Sequence, residues 1–183
     1  VAATRHSQSE PIAVIGMAAR LPGAADVESF WKLPLEGRDA IREVPSDRWD
    51  WRAQILAAPR DGETLAPRWG GFIDGVDRFD PLHFRISPRD AELVDPQERL
   101  FLLACWHACE DAGYTRARLG SSVGVFAGIT KTGYALHGPF RTPTGGMVRP
   151  TTSFSSAANR VSHLFNFSGP SMPVDTMCSS SLA

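Results

Sequence analysis

The stretch Asp95-Pro96-Gln97-Glu98 constrains the fold of this chain more than any other. Asp95 is placed to cap a helix, Pro96 stands at the first helical position where no backbone N–H is needed, and Glu98 is placed to close a capping box. The predicted helix runs through Leu100, Phe101, Leu103, Ala104, Ala108 and Ala112, and Gly113 supplies the left-handed residue past its end. Apolar side chains occupy most of its circumference. Such a helix needs cover on several sides, which puts it at the centre of a layered structure rather than on a surface. His107 lies within it, and the favoured role for this residue is structural.

Other segments supply the layers. Ile12-Ala13-Val14-Ile15-Gly16-Met17 and Val123-Gly124-Val125-Phe126-Ala127-Gly128-Ile129 are short apolar runs of the kind that form buried strands. Asp26 is placed to cap a helix through Val27, Phe30, Trp31 and Leu33, and Pro34 is expected to kink or end it. Residues 153–167 read as a helix with Ala157, Val161, Leu164 and Phe165 on one face, and 172–177 as a short extended segment. Residues 37–79 carry no clean periodicity and read as long connections with short helical pieces around Trp49 and Trp51. They are not disordered, because Trp49, Trp51, Trp69, Phe72 and Phe79 need apolar cover. Residues 130–150, rich in Gly, Pro and Thr, read as loop. Strands alternating with helices argue for an α/β layered fold.

Composition excludes several classes. The formal net charge is -1, from 19 basic and 20 acidic side chains, and the basic residues are scattered. Nothing in that balance favours a nucleic acid or an anionic membrane as partner. No run approaches the ~20 apolar residues that span a bilayer, and residues 1–9 read as a polar linker without the apolar core of a signal peptide. Cys105 and Cys109 are four apart on one predicted helix, with no companion histidine motif, so buried apolar roles are expected rather than a zinc site. A reducing, cytoplasmic setting fits these thiols.

Cys178 is different. It follows the extended segment directly and begins Cys178-Ser179-Ser180-Ser181-Leu182-Ala183, which reads as the first turn of a helix. A thiol at a helix start feels the positive end of the dipole and unpaired N–H groups, both of which favour the nucleophilic thiolate. Its own N–H can help hold an oxyanion when a thioester carbonyl is attacked. The small serines leave room for a substrate at the bend. Taken alone, a cysteine near a strand end is still more often simply buried.

Asp175-Thr176-Met177-Cys178-Ser179-Ser180-Ser181-Leu182 resembles the active-site signature of the β-ketoacyl synthases of modular polyketide synthases. The resemblance continues in order through Glu10-Pro11-Ile12-Ala13-Val14-Ile15-Gly16-Met17, Arg20-Leu21-Pro22-Gly23, Pro45-Ser46-Asp47-Arg48-Trp49, Ile86-Ser87-Pro88-Arg89, Asp95-Pro96-Gln97-Glu98, Asn159-Arg160-Val161-Ser162 and Gly169-Pro170-Ser171, covering residues 10–183 as the N-terminal part of a ketosynthase domain. It implies a thiolase-like α-β-α-β-α fold of which this is the first half, and a homodimer for the full domain. It gives Cys178 the role of acyl acceptor from the phosphopantetheine thioester of an acyl carrier protein, followed in the full-length domain by decarboxylative condensation with a malonyl-type extender. It implies no metal or redox cofactor. Met177 before the cysteine and Asp50-Trp51 resemble the subgroup served by trans-acting acyltransferases.

The same resemblance implies two motif histidines and a lysine beyond the cysteine helix, and none of His6, His83, His107, His137 and His163 stands in such a motif. The expectation is therefore a piece of a longer polypeptide, unable to condense by itself and with an apolar face left open. Two further readings differ in class. One is a non-elongating domain that passes acyl chains or scaffolds a dimer. The other is a papain-like hydrolase, which requires His107 or His163 beside Cys178.

Overall fold

The computed structural model describes residues 11–53, 68–130, 133–137, 140–141, 147–148, 150 and 152–182. The polar linker read at 1–9 lies outside the described residues, as does part of the 130–150 loop.

Asp26 caps α1 (Val27–Leu35), its carboxylate accepting from the Ser29 N–H at 2.7 Å while the Ser29 hydroxyl accepts from the Asp26 N–H. Pro34 sits inside the last turn, so the helix closes one residue later than the expected break. A small antiparallel pair follows, β1 (Ile41–Glu43) with β2 (Trp69–Gly71). Short α2 (Pro88–Ala91) leads to α3 (Pro96–Asp111), the helix anticipated from Asp95. Asp95 does cap it, accepting from the Gln97 N–H at 2.8 Å, and Gly113 past its end has φ 69. Short α4 (Arg116–Leu119) precedes β3 (Val125–Gly128), and a two-residue antiparallel pair, β4 (Phe140–Arg141) with β5 (Met147–Val148), precedes α5 (Phe154–Phe165) and β6 (Ser171–Val174).

The centre is a β-α-β unit. β3 and β6 pair in parallel, with Val125 opposite Ser171 and Gly128 opposite Val174. Parallel strands need a crossover, and α5 supplies it, packing on both strands and on α3. Strand alternation then sorts the side chains: Val125 and Ala127 face the helices and are buried, whereas Phe126 is 58% exposed beside its partner Met172 at 46%. Leu102 of α3, Ala157, Ala158, Val161 and Phe165 of α5, and Phe84 complete the core. α3 is therefore central on one side and only half-buried elsewhere, with Phe101, Leu103, Cys105, Trp106 and Cys109 at the core's margin.

Three expectations are corrected. Residues 12–17 form no strand; they run beside the end of α3, where the Met17 N–H donates to Asp111 Oδ2 at 2.8 Å and Gly16 lies against Ala108 and Ala112. Without a pairing partner among the described residues, a β-branched run cannot become a strand, and Ile12 and Val14 stay 95% and 78% exposed. Glu98 closes no capping box at α3. Its side chain turns inward, fully buried, where Oε2 accepts from Arg160 Nε at 2.6 Å and Oε1 from the hydroxyls of Thr152 (2.7 Å) and Ser156. The chain after Met177 forms a 3-10 helix, Met177–Leu182, rather than the start of an α-helix.

Candidate functional site

The parallel register delivers the chain after β6 to the end of the sheet, where Asp175 and Thr176 lead into the Met177–Leu182 turn. Met177 has φ 55, in the left-handed region that an L side chain enters at a cost of about 1–2 kcal/mol. That conformation turns the chain sharply and sets Cys178 on the surface, where it is exposed and free of any disulfide.

Serine hydroxyls hold the turn. Ser180 Oγ accepts from the Thr176 N–H at 3.0 Å and donates to the Met177 carbonyl at 2.7 Å, bracing both residues before the cysteine. Ser179 Oγ donates to the Thr176 carbonyl at 2.9 Å, and the Asp175 carboxylate accepts from the Met177 N–H at 3.1 Å. Gly128 lies against this turn: a Cβ there would meet Ser180 Cβ at 3.5 Å, an ordinary contact that alanine could make, whereas a branched side chain would press the turn away from β3. The serines that the sequence suggested as mere space at the bend are thus its scaffold. Among the described residues the Cys178 N–H donates to no protein acceptor, which leaves it free to meet an oxyanion.

His83, His107 and His163 have other surroundings. His83 stands edge-on to Trp106 at 4.4 Å and to Phe84 at 4.8 Å. His107 shares a cleft with Trp106 and Glu110, and His163 lines a cavity beside α5. Among the described residues no hydrogen bond joins Cys178 to an imidazole, so the dyad that a papain-like hydrolase needs is not assembled. Cys105 and Cys109 are half-buried at the core's margin rather than fully buried as expected; desolvation there pushes the Cys105 thiol up from 9.0 to about 12, and partial burial also raises Cys109. No group of three His, Cys, Asp or Glu side chains among the described residues is placed to hold a metal ion.

The profile of the family described as Beta-ketoacyl synthase, N-terminal domain, matches residues 9–183. The chain belongs to the β-ketoacyl synthase family. It is 51% identical over 182 residues to the polyketide synthase ThaQ of Burkholderia thailandensis, an alignment covering 95% of this chain and 8% of that protein. It is 48% identical over 175 residues to the polyketide synthase PksN of Bacillus subtilis, covering 94% of this chain and 3% of the other. Among solved structures, the oxazolomycin ketosynthase domain of Streptomyces albus superposes with a TM-score of 0.79 at 44% identity, over 92% of this chain and 29% of that one. A module 6 ketosynthase of the bacillaene synthase of Bacillus subtilis, solved as a cysteine-to-serine mutant, gives a TM-score of 0.75 at 36% identity. The fold is therefore the α/β, thiolase-like fold of ketosynthases. The chain spans under a third of those ketosynthase structures and a few per cent of the curated synthases. No described helix is long and apolar enough to cross a membrane.

Proposed function

We propose that this chain is the nucleophile-bearing part of a polyketide synthase ketosynthase and that Cys178 is its acyl acceptor. One observation carries the reading: Cys178 is exposed on a hydroxyl-braced turn at the end of β6, with its own N–H unengaged among the described residues. The Cys178 thiolate attacks the thioester carbonyl of an acyl chain borne on the phosphopantetheine of an acyl carrier protein. The oxyanion forms next to the Cys178 N–H. Collapse expels the pantetheine thiolate, which takes up a proton, and the acyl group remains as a thioester on Cys178. In the full-length domain a malonyl-type extender on a carrier protein loses CO2, and the resulting carbanion attacks that thioester to give a β-ketoacyl product and return the Cys178 thiolate. Groups outside these 183 residues assist that second step.

The identities with ThaQ and PksN support a polyketide synthase as the setting. Met177 directly before Cys178 supports the subgroup supplied by trans-acting acyltransferases, and the family resemblance supports a cytoplasmic, homodimeric synthase. The test uses the complete polypeptide and an acyl N-acetylcysteamine thioester. Intact-mass spectrometry should show one acyl adduct, mapped to Cys178 by peptide analysis and missing in C178A. An adduct persisting in C178A refutes the assignment.

A further inference from the structure

Residues 84–94, α4 and α5 line an open cavity of about 820 Å³, and no residue of the Cys178 turn lines it. Its floor is apolar, with Phe84 and Leu102 buried to 4% and 2% exposure. Its rim is polar and basic: Arg85 comes from the first segment, Arg116 from the start of α4, and Asn159 and His163 from α5.

Two independent features mark this rim. Arg85 has φ 57, a conformation that glycine enters freely and an L side chain resists. Strain of that kind is kept where the side chain is of use, and it clusters at ligand clamps. Second, the guanidinium groups of Arg85 and Arg116 form no ion pair or hydrogen bond with any described residue. The carboxylate that shares the cavity, Asp90, is occupied in accepting from the Ser87 hydroxyl at 2.7 Å. The third cation, Arg160, is held by Glu98.

We propose that this cavity binds a phosphate ester, its oxygens taken by Arg85 and Arg116 and its uncharged remainder by the apolar floor. A planar carboxylate is satisfied by one guanidinium fork, whereas two forks with an amide and an imidazole suit the larger oxygen set of a phosphate. The site is separate from Cys178, so the proposal does not depend on the acyl-transfer reading.

The experiment uses the complete polypeptide carrying C178A, which removes acylation from the readout. Inorganic pyrophosphate, coenzyme A and a holo-acyl carrier protein are titrated by calorimetry at fixed ionic strength. Saturable binding is expected, weakened at least tenfold in R85G and in R116A. R85G should melt no lower than its parent, because glycine relaxes the left-handed backbone; a side chain with a purely structural role would lower the melting temperature and leave binding unchanged. Coenzyme A binding that depends on both arginines assigns a free phosphate ester. Pyrophosphate and holo-carrier protein binding in that same dependent way, with coenzyme A inert, assigns a phosphate carried on a partner protein. Failure of all three probes to bind, or equal binding by parent, R85G and R116A, overturns the proposal.

Discussion

Glu98 is the residue whose removal the structure lets one cost most directly. Its side chain is 0% exposed and accepts three hydrogen bonds, from Arg160, Thr152 and Ser156, which fasten α3 to the start and middle of α5. E98A removes the carboxylate that Thr152, Ser156 and Arg160 share and opens a cavity, although the Ser156 hydroxyl keeps the Ser153 carbonyl as acceptor. Breaking a buried ion pair from one side costs about 3–5 kcal/mol. Arg160 keeps 29% exposure and can rehydrate, so the lower end applies, about 3 kcal/mol. E98Q should be milder. Its carbonyl can still receive Arg160 while its amide donates to hydroxyls that rotate to accept, which leaves a loss of roughly 1.5 kcal/mol, the low end for hydrogen bonds to charged groups.

Urea unfolding of the complete polypeptide, followed by tryptophan fluorescence, measures these differences. The order of stability should be wild type, then E98Q, then E98A. In a double-mutant cycle the E98A/R160A variant should lose at least ~1 kcal/mol less than the sum of the single losses, because neither side then holds an unpaired charge. An E98A loss under ~1 kcal/mol, or full additivity with R160A, would show that the pair does not join the helices.

Three further outcomes are expected. G169A places a Cβ 2.5 Å from the Val123 carbonyl oxygen and 2.8 Å from the Gly124 nitrogen, backbone atoms that cannot step aside, so it should destabilise by about 3 kcal/mol or abolish soluble expression. M177G relaxes φ 55 and should leave the fold as stable or about 1 kcal/mol more stable by urea midpoint, yet slow acylation of Cys178 by loosening the turn; faster acylation would refute the role given to that turn. Cys105 should stay unmodified by iodoacetamide at pH 8 in the native protein while exposed Cys178 reacts. Because burial raises its pKa from 9.0 to about 12, the native state holds the proton longer than the unfolded chain. Its contribution to stability is therefore complete below pH 9.0 and is lost as pH rises toward about 12, a decline that C105A should reduce.

What could be read from the sequence was set by local chemistry. Asp26 and Asp95 as caps, Pro96 at a helix start and Gly113 past a helix end each act within a few residues, and all four stand where expected. The 123–129 run was legible as a strand because β6 pairs with it; residues 12–17 carry the same signal and have no such partner among the described residues. Glu98 shows the limit from another direction. Its spacing from Asp95 fits a capping box, but its partner Arg160 is 62 positions away, and the burial that selects that partner exists only once α5 has docked. The cavity-lining Arg85 gave no signal at all, since a left-handed φ at a non-glycine residue leaves no mark in a single sequence.

The placement of Cys178 follows from the same hierarchy. In parallel α/β sheets the strand ends that point toward the carboxyl direction meet no further backbone of their own, and ligands gather there. β6 ends at Val174 opposite Gly128, the last residue of β3, so the turn that carries Cys178 lies at that edge by register alone. Gly128 lets Ser180 close against β3, and Ser180 in turn ties down Thr176 and Met177. The turn that carries Cys178 thus continues β6 and rests against β3. A change at Gly128 should therefore harm acylation without touching the thiol. G128V would drive the turn away from β3, and its acyl adduct should form at least tenfold more slowly by intact-mass time course, although the Cys178 side chain is unaltered. Unchanged kinetics in a folded G128V protein would mean that β6 alone positions the cysteine.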